Sequence, residues 1–180
     1  VLIQGVGVAG LSFIQTVKAF SPKKIIAAAR NPARLAQAKK FGADVIINTK
    51  SEDLTERVMQ ETGGEGVSLS IDAAGAEQTI EAAVKLTAKG GRCLLYGLPA
   101  DDAEIRFPVK EIIMNQVTVH GVTNNELAWE PMIEMVAAGK INIKDMVTHH
   151  YKLSQLDEAV KTVMERPDSL IKAVVHPWQE

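Results

Sequence analysis

Val1-Leu2-Ile3-Gln4-Gly5-Val6-Gly7-Val8-Ala9-Gly10 opens the chain, and the order of its parts decides the fold. A short apolar run leads into G-x-G-x-x-G, and Gly10, Phe13, Ile14 and Val17 then fall at i, i+3, i+4 and i+7, one face of a helix. Glycines are common in turns, so the pattern alone is weak; a strand before it and an amphipathic helix after it raise its value. In that setting Gly5 permits a tight turn. Gly7 removes the side chain that would block a pyrophosphate, and Gly10 faces the sheet for close packing. The amides around Val8 and Ala9 then point at the phosphates, with the positive end of the helix behind them. The alternative is a glycine-rich turn that holds no ligand.

Outward from the loop, Val- and Ile-rich runs alternate with helical patterns. Strands are predicted at Val1–Gln4, Lys24–Ala28, Val45–Asn48, Val67–Asp72, Arg92–Tyr96 and Val117–Gly121. Their near-continuous apolar character suits strands covered on both faces, as in a parallel sheet. Helices are predicted from Pro32 to near Gly42, from about Ser51 to Thr62, and from Ala76 to Ala88, the last stopped by Gly90-Gly91. Alternating strand and helix with short connections implies right-handed crossovers. The fold class is therefore α/β, a Rossmann doubly wound parallel sheet of order 3-2-1-4-5-6, with the ligand at the carboxyl ends of the strands. After Gly121 the pattern changes to a carboxyl-terminal αβ tail. Trp129, Met132, Ile133 and Val136 mark one helical face, and Met146–Leu153 reads as extended. Ser154 with Asp157 suggests a capping box opening a helix with a buried stripe of Leu156, Ala159, Val160 and Val163. Ile171–His176 reads as a last strand. The division expected is 1–124 for the nucleotide-binding domain and 125–180 for the tail.

At 180 residues, 46% of them hydrophobic, the chain can bury a full core in one domain, or one domain and an appendage. A net charge of -2 gives no general attraction to nucleic acid or anionic lipid. The single cysteine, Cys93, cannot form an internal disulfide and fits a reducing, cytoplasmic setting. The apolar stretches are short and interrupted, so no membrane span is expected. Because the chain starts with Val1 inside an apolar run, it reads as the later part of a longer protein.

The end of the second strand selects the dinucleotide. An acidic residue about 20 positions beyond the loop would bind the ribose 2′-hydroxyl of NAD, whereas an arginine accommodates the 2′-phosphate of NADP. Here the strand ends Ala27-Ala28-Ala29-Arg30-Asn31, and no Asp or Glu occurs from Lys23 to Ala43, a stretch that carries Lys23, Lys24, Arg30, Arg34, Lys39 and Lys40. A dianionic phosphate wants donors there and no carboxylate. NADP is favoured over NAD, with Arg30 on the 2′-phosphate. The competing reading is that Arg30 and Arg34 only solvate a helix end.

Beyond these residues the chain resembles the medium-chain, zinc-type alcohol and polyol dehydrogenases, of the sorbitol and threonine dehydrogenase kind. GVGVAG (5–10), RNPARLAQAKKFGAD (30–44), SIDAAGAEQTIEAAVKLTAKGGRCLLYGLP (70–99), VTVHGVTN (117–124) and AAGKINIKDMVTHHYKLSQLDEAV (137–160) carry the resemblance. It covers nearly the whole chain in the family's order. By that resemblance Arg30 and Arg34 stand where the family contacts the adenosine ribose. Ala73 and Ala74 would line the adenine side, and Gly97, Leu98 and the backbone of Thr123 and Asn124 would meet the nicotinamide. Lys172 matches a basic position that reaches the pyrophosphate. The ordinary alternatives are core packing for Ala73, Ala74 and Leu98, and a solvated strand residue for Lys172. Ala29 departs from the acidic residue of NAD-using members, which bears on cofactor choice and leaves the fold untouched.

The resemblance further implies hydride transfer between a small alcohol or carbonyl substrate and the nicotinamide, with a catalytic zinc whose ligands lie in a preceding domain that these residues do not include. No zinc site is expected within the chain. Cys93, alone in a predicted strand, reads as a small buried hydrophobe. His149 and His150 are adjacent on a strand and face opposite sides, so they do not readily share one ion. His120 and His176 read as structural. The resemblance also implies a homodimer through the sheet edge around Phe107–Gly121. Three alternatives remain open: a zinc-free quinone or enoyl reductase of the same superfamily, a nucleotide-sensing module without catalysis, and, least favoured, a methyltransferase.

Overall fold

The computed structural model describes residues 1–123 and 128–178. Six strands form one parallel sheet: β1 (Leu2–Gln4), β2 (Ile26–Ala29), β3 (Val45–Asn48), β4 (Val67–Asp72), β5 (Thr87–Leu95) and β6 (Thr118–Gly121). Their order is β3-β2-β1-β4-β5-β6, as the alternating pattern predicts. Helices α1 (Val8–Ala19) and α2 (Pro32–Phe41) cover one face, where Ile3, Leu11, Ile14, Leu35, Ala38 and Ile71 pack together. Helix α3 (Leu54–Thr62) covers the other, with Leu2, Ile26, Ile47, Val58 and Leu86 at its core. Alongside it α4 (Glu77–Lys85) sets Ala83 and Val84 against Cys93 and Val117. The central strands β1 and β2 are thus buried on both faces and show no alternation, whereas the edge strand β6 is largely exposed.

Helix α2 is fixed at both ends by its sequence. The Asn31 side chain accepts from the amides of Ala33 (2.9 Å) and Arg34 (3.2 Å), Pro32 fills the first position, and Gly42 caps the far end. In α3 the cap is Asp53, which accepts from the Glu56 amide at 2.8 Å, so the helix starts three residues later than predicted.

Helix α4 stops at Lys85 instead of Ala88, because Thr87 already belongs to β5. The Thr87 hydroxyl bonds the Ala83 carbonyl (2.7 Å) and the Ser70 hydroxyl (2.6 Å), which ties the chain to the sheet at that point. Gly90-Gly91 falls inside a register irregularity between β4 and β5, where Thr87 faces Val67 and Arg92 faces Leu69, and so it stops no helix. A seven-residue helix, α5 (Val109–Asn115), has no counterpart in the sequence reading; none of its residues is buried, so it carries no core-facing stripe.

In the tail α6 (Trp129–Ala137) is followed by a 3-10 turn, β7 (Val147–Lys152), a second 3-10 turn, α7 (Leu156–Glu165) and β8 (Lys172–His176). Strands β7 and β8 pair in parallel as a separate two-stranded sheet. Two expectations are corrected here. The Gln155 side chain, rather than Ser154, makes the capping contact, accepting from the Lys152 amide at 3.0 Å. Of the stripe expected to be buried on α7, only Ala159 is; Leu156, Val160 and Val163 are about half exposed. Similarly, Trp129 and Ile133 of the α6 face stand in solvent.

Candidate functional site

The register of the sheet brings all six strand ends to one level. Ile47, Ala28, Gln4, Asp72, Leu95 and Gly121 are successive partners across it. The chain order reverses at β1, whose neighbours are β2 and β4, and a crevice outside the strand ends at such a reversal is where α/β sheets bind ligands. A cleft of about 960 Å³ lies there, entered by residues that follow β1, β2, β3 and β4.

The glycine loop forms its base. Gly5 has φ +87°, a conformation that side chains disfavour, and its amide donates to the Ala28 carbonyl at 2.9 Å. A Cβ on Gly10 would stand 1.8 Å from the Gly5 carbonyl oxygen but 3.8 Å from the nearest sheet atom, of Ile3, so the third glycine is required by the turn's own backbone and not by close packing on the sheet. Gly7 differs: a Cβ there would meet only an Arg34 Nη1 atom, at 3.8 Å. The space above Gly7 is therefore open to the cleft. Helix α1 begins at Val8, its first internal bond runs from Leu11 to the Gly7 carbonyl at 2.9 Å, and no side chain caps it. The amides of Val8, Ala9 and Gly10 precede that bond and are the usual orphan donors of a helix start. An uncapped helix start, a side-chain-free floor and a guanidinium overhead suit a phosphate group.

Arg30 is exposed at the rim of the cleft, beyond β2. Arg34, on the first turn of α2, reaches over the loop and donates from Nη2 to the Leu170 carbonyl at 3.0 Å. Ala73 and Ala74 line the opposite wall. Gly97, Leu98 and Thr123 lie at the same sheet edge, after β5 and β6, outside the lining of this cleft, and Leu98 is 91% exposed. Asn124 lies outside the described residues. Beside them, Phe13 of α1 and Tyr96 meet edge to face with centroids 5.2 Å apart. Lys172 sits exposed on β8 and does not line the cleft; the tail residue that does is Arg166.

Four further residues shape the site without having been singled out from sequence. Asp72 is fully buried at the end of β4. Its carboxylate accepts from the amides of Ala74 (3.2 Å) and Gly75 (3.0 Å), and its carbonyl accepts from those of Tyr96 and Gly97 (both 2.9 Å). It joins the loops after β4 and β5, and an acid closing an apolar run was the signal for it. Gln4 donates to the Thr79 carbonyl at 2.8 Å, while its Oε1 is buried without a partner among the described residues. Glu52 and Asp53 bring two carboxylates to the cleft from beyond β3. Both are engaged: Glu52 accepts from the Asn48 amide (2.9 Å) and pairs with Arg57 (3.0 Å), and Asp53 caps α3.

Elsewhere, Cys93 is buried, and burial pushes its thiol up from the ordinary range. His150 Nδ1 lies 2.8 Å from His176 Nε2, with the rings stacked, whereas His149 contacts Thr148 and stacks on Tyr151. Among the described residues no group of three or more His, Cys, Asp or Glu is placed to hold a metal, and no helix is long and apolar enough to cross a membrane.

Comparison with known proteins adds four matches. The zinc-binding dehydrogenase family model matches residues 6–138. The chain is 30% identical over 177 residues to a sorbitol dehydrogenase of Bacillus subtilis (strain 168), covering 98% of this chain and 50% of that protein. It is 35% identical over 154 residues to an L-threonine 3-dehydrogenase of Pyrococcus furiosus, covering 84% of this chain and 44% of that protein. Among solved structures, the "short chain alcohol dehydrogenase (rspB)" of E. coli CFT073, complexed with cofactor NADH, superposes with a TM-score of 0.89 at 25% identity over 98% of this chain and 51% of that one. The chain spans about half the length of the curated relatives it matches.

Proposed function

The chain belongs to the zinc-binding dehydrogenase family, and from that premise we propose that its cleft holds a nicotinamide dinucleotide, NADP in preference to NAD. The observation that carries this reading is the open floor at Gly7, set between an uncapped helix start and the Arg34 guanidinium. The pyrophosphate lies over that floor, where helix amides and Arg34 neutralise it. Ala73 and Ala74 bound the adenine side, and Arg30 meets the 2′-phosphate. We assign Gly97, Leu98 and Thr123, which follow β5 and β6, to the nicotinamide side, and Asn124 by the resemblance alone; Lys172, like those three, does not line the cleft.

In the whole protein the dinucleotide supplies hydride exchange with a small alcohol or its carbonyl form. A catalytic zinc would have its ligands outside these 180 residues. Residues 1–124 hold the cofactor, residues 125–180 pack toward the remainder of the protein, two copies pair through the sheet edge around Phe107–Gly121, and the protein works in the cytoplasm. What this chain contributes is position: it fixes the phosphates, orients the rings along the strand ends, and leaves the substrate to other residues.

Calorimetric titration with NADPH and NADH tests the assignment. NADPH is expected to bind more tightly, and Arg30→Ala to weaken NADPH about tenfold while sparing NADH, the loss of one charge-assisted contact. Equal affinities that the substitution leaves unchanged would remove the NADP assignment.

A further inference from the structure

Among the described residues, Arg166 is the one cleft residue that comes from the tail. It ends α7 with φ +49° and ψ +56°, its amide donating to the Thr162 carbonyl at 3.0 Å. A residue other than Gly, Asn or Asp is uncommon in that left-handed region. Such an outlier persists where its surroundings hold it, and here they do. Two residues on, the Asp168 carboxylate accepts from the Asn31 side-chain amide, and the Leu170 carbonyl accepts from Arg34. The corner after α7 is thereby docked on the start of α2, on the residues that follow β2 in the cleft.

We propose that Arg166 is a specificity-determining cation for the dinucleotide's 2′-phosphate, supplied by the tail and positioned by the contact of Asp168 with Asn31; this rests on reading the cleft as a dinucleotide site. The charges decide the ligand chemistry. Three guanidiniums, those of Arg30, Arg34 and Arg166, enter the cleft against the carboxylates of Glu52 and Asp53, and both acids already have donors of their own. The Asp168 carboxylate is likewise occupied by Asn31. Arg34 is turned to Gly7 and Leu170, so the phosphate nearest the loop is its partner. Arg30 and Arg166 are left for a second phosphate, and guanidiniums suit a dianion better than a ribose hydroxyl does. The family model ends at residue 138, so Arg166 lies outside the segment that it matches.

The test is titration of the chain with NADPH, NADH, 2′,5′-ADP and 5′-ADP, comparing the parent with Arg166→Asn, Arg166→Lys and Asp168→Ala. Asparagine tolerates the left-handed backbone, and retained NADH binding reports an intact fold. Arg166→Asn is expected to weaken NADPH and 2′,5′-ADP about tenfold, with NADH and 5′-ADP within about twofold, as fits one charge-assisted contact. Arg166→Lys should recover most of the loss, and Asp168→Ala should lower the NADPH-to-NADH ratio in the same direction. If Arg166→Asn changes neither nucleotide, or both equally, the role of Arg166 is overturned while the parent's binding keeps the cofactor reading. If the parent binds neither dinucleotide, both fall together.

Discussion

The three glycines of the loop carry different physical demands, and single methyl groups separate them. Gly10→Ala would drive its Cβ into the Gly5 carbonyl, a backbone atom that cannot rotate away. Overpacking of this kind costs about 3 kcal/mol. Thermal or urea unfolding of Gly10→Ala should therefore show a large loss of stability, and binding should disappear with the fold. Gly7→Ala meets no such obstacle: its φ of -78° is open to any residue and its neighbour is a mobile guanidinium. Stability should stay within about 1 kcal/mol of the parent, while NADPH affinity falls at least about tenfold because the methyl group occupies the phosphate floor. If Gly7→Ala bound NADPH normally, the floor would not be where the pyrophosphate lies. Cys93 supplies a residue-scale pH effect. Burial raises its pKa in the folded chain, so the neutral thiol favours folding, and that contribution is intact below the ordinary thiol value. It fades as pH rises past that value toward the folded pKa, because the unfolded chain ionises first. Melts at alkaline pH should show Cys93→Ala losing less stability over that window than the parent.

Among the elements, the corners after β4 and β5 depend on one side chain. Asp72→Ala leaves the amides of Ala74 and Gly75 without their acceptor, each partly buried. Orphaning such donors costs about 2 kcal/mol, so the denaturant midpoint should fall with an unchanged slope, and nucleotide binding should weaken because the Ala73-Ala74 wall loosens. A midpoint equal to the parent's would mean water replaces the carboxylate. What could be read from sequence follows the same physics. Strand β1 was legible because both its faces are buried, β3 because Val45-Ile46-Ile47 is an unbroken β-branched run, and α2 because Pro32 and Gly42 mark its ends. The limits of α4 and β5 were not, since Thr87 makes its decisive bonds to Ser70 and Ala83 through space. Within the cleft, Gly5, Gly7, Gly10 and Arg30 were legible because they sit in consecutive βα turns. Glu52 and Arg166 were hidden because they arrive from segments whose local patterns describe only a turn and a helix end.

At the scale of the whole molecule, apolar surface is left over on α5 and on α7, among other places, and these two call for different partners. Beyond β6, the last strand of the sheet, Val109, Ile113 and Met114 of α5 stand in solvent, Ile113 at 68% exposure, beside a strand whose outer edge has no neighbour among the described residues. An open apolar sheet edge invites a second strand, and a two-fold pairing there satisfies the edge with a copy of itself. The second surface is the half-exposed α7 stripe of Leu156, Val160 and Val163, which fits the proposed return of the tail toward the rest of the protein. The two surfaces can be separated in solution. Sedimentation of the chain should give a dimer, and Thr118→Lys with Ile113→Lys, both at exposed positions, should give monomers by placing like charges across the two-fold axis. Val160→Lys should leave the dimer intact. NADPH binding should survive in both variants, because none of the substituted residues lines the cleft. Dimers that persist with lysines on the edge but dissolve with Val160→Lys would move the interface to the tail.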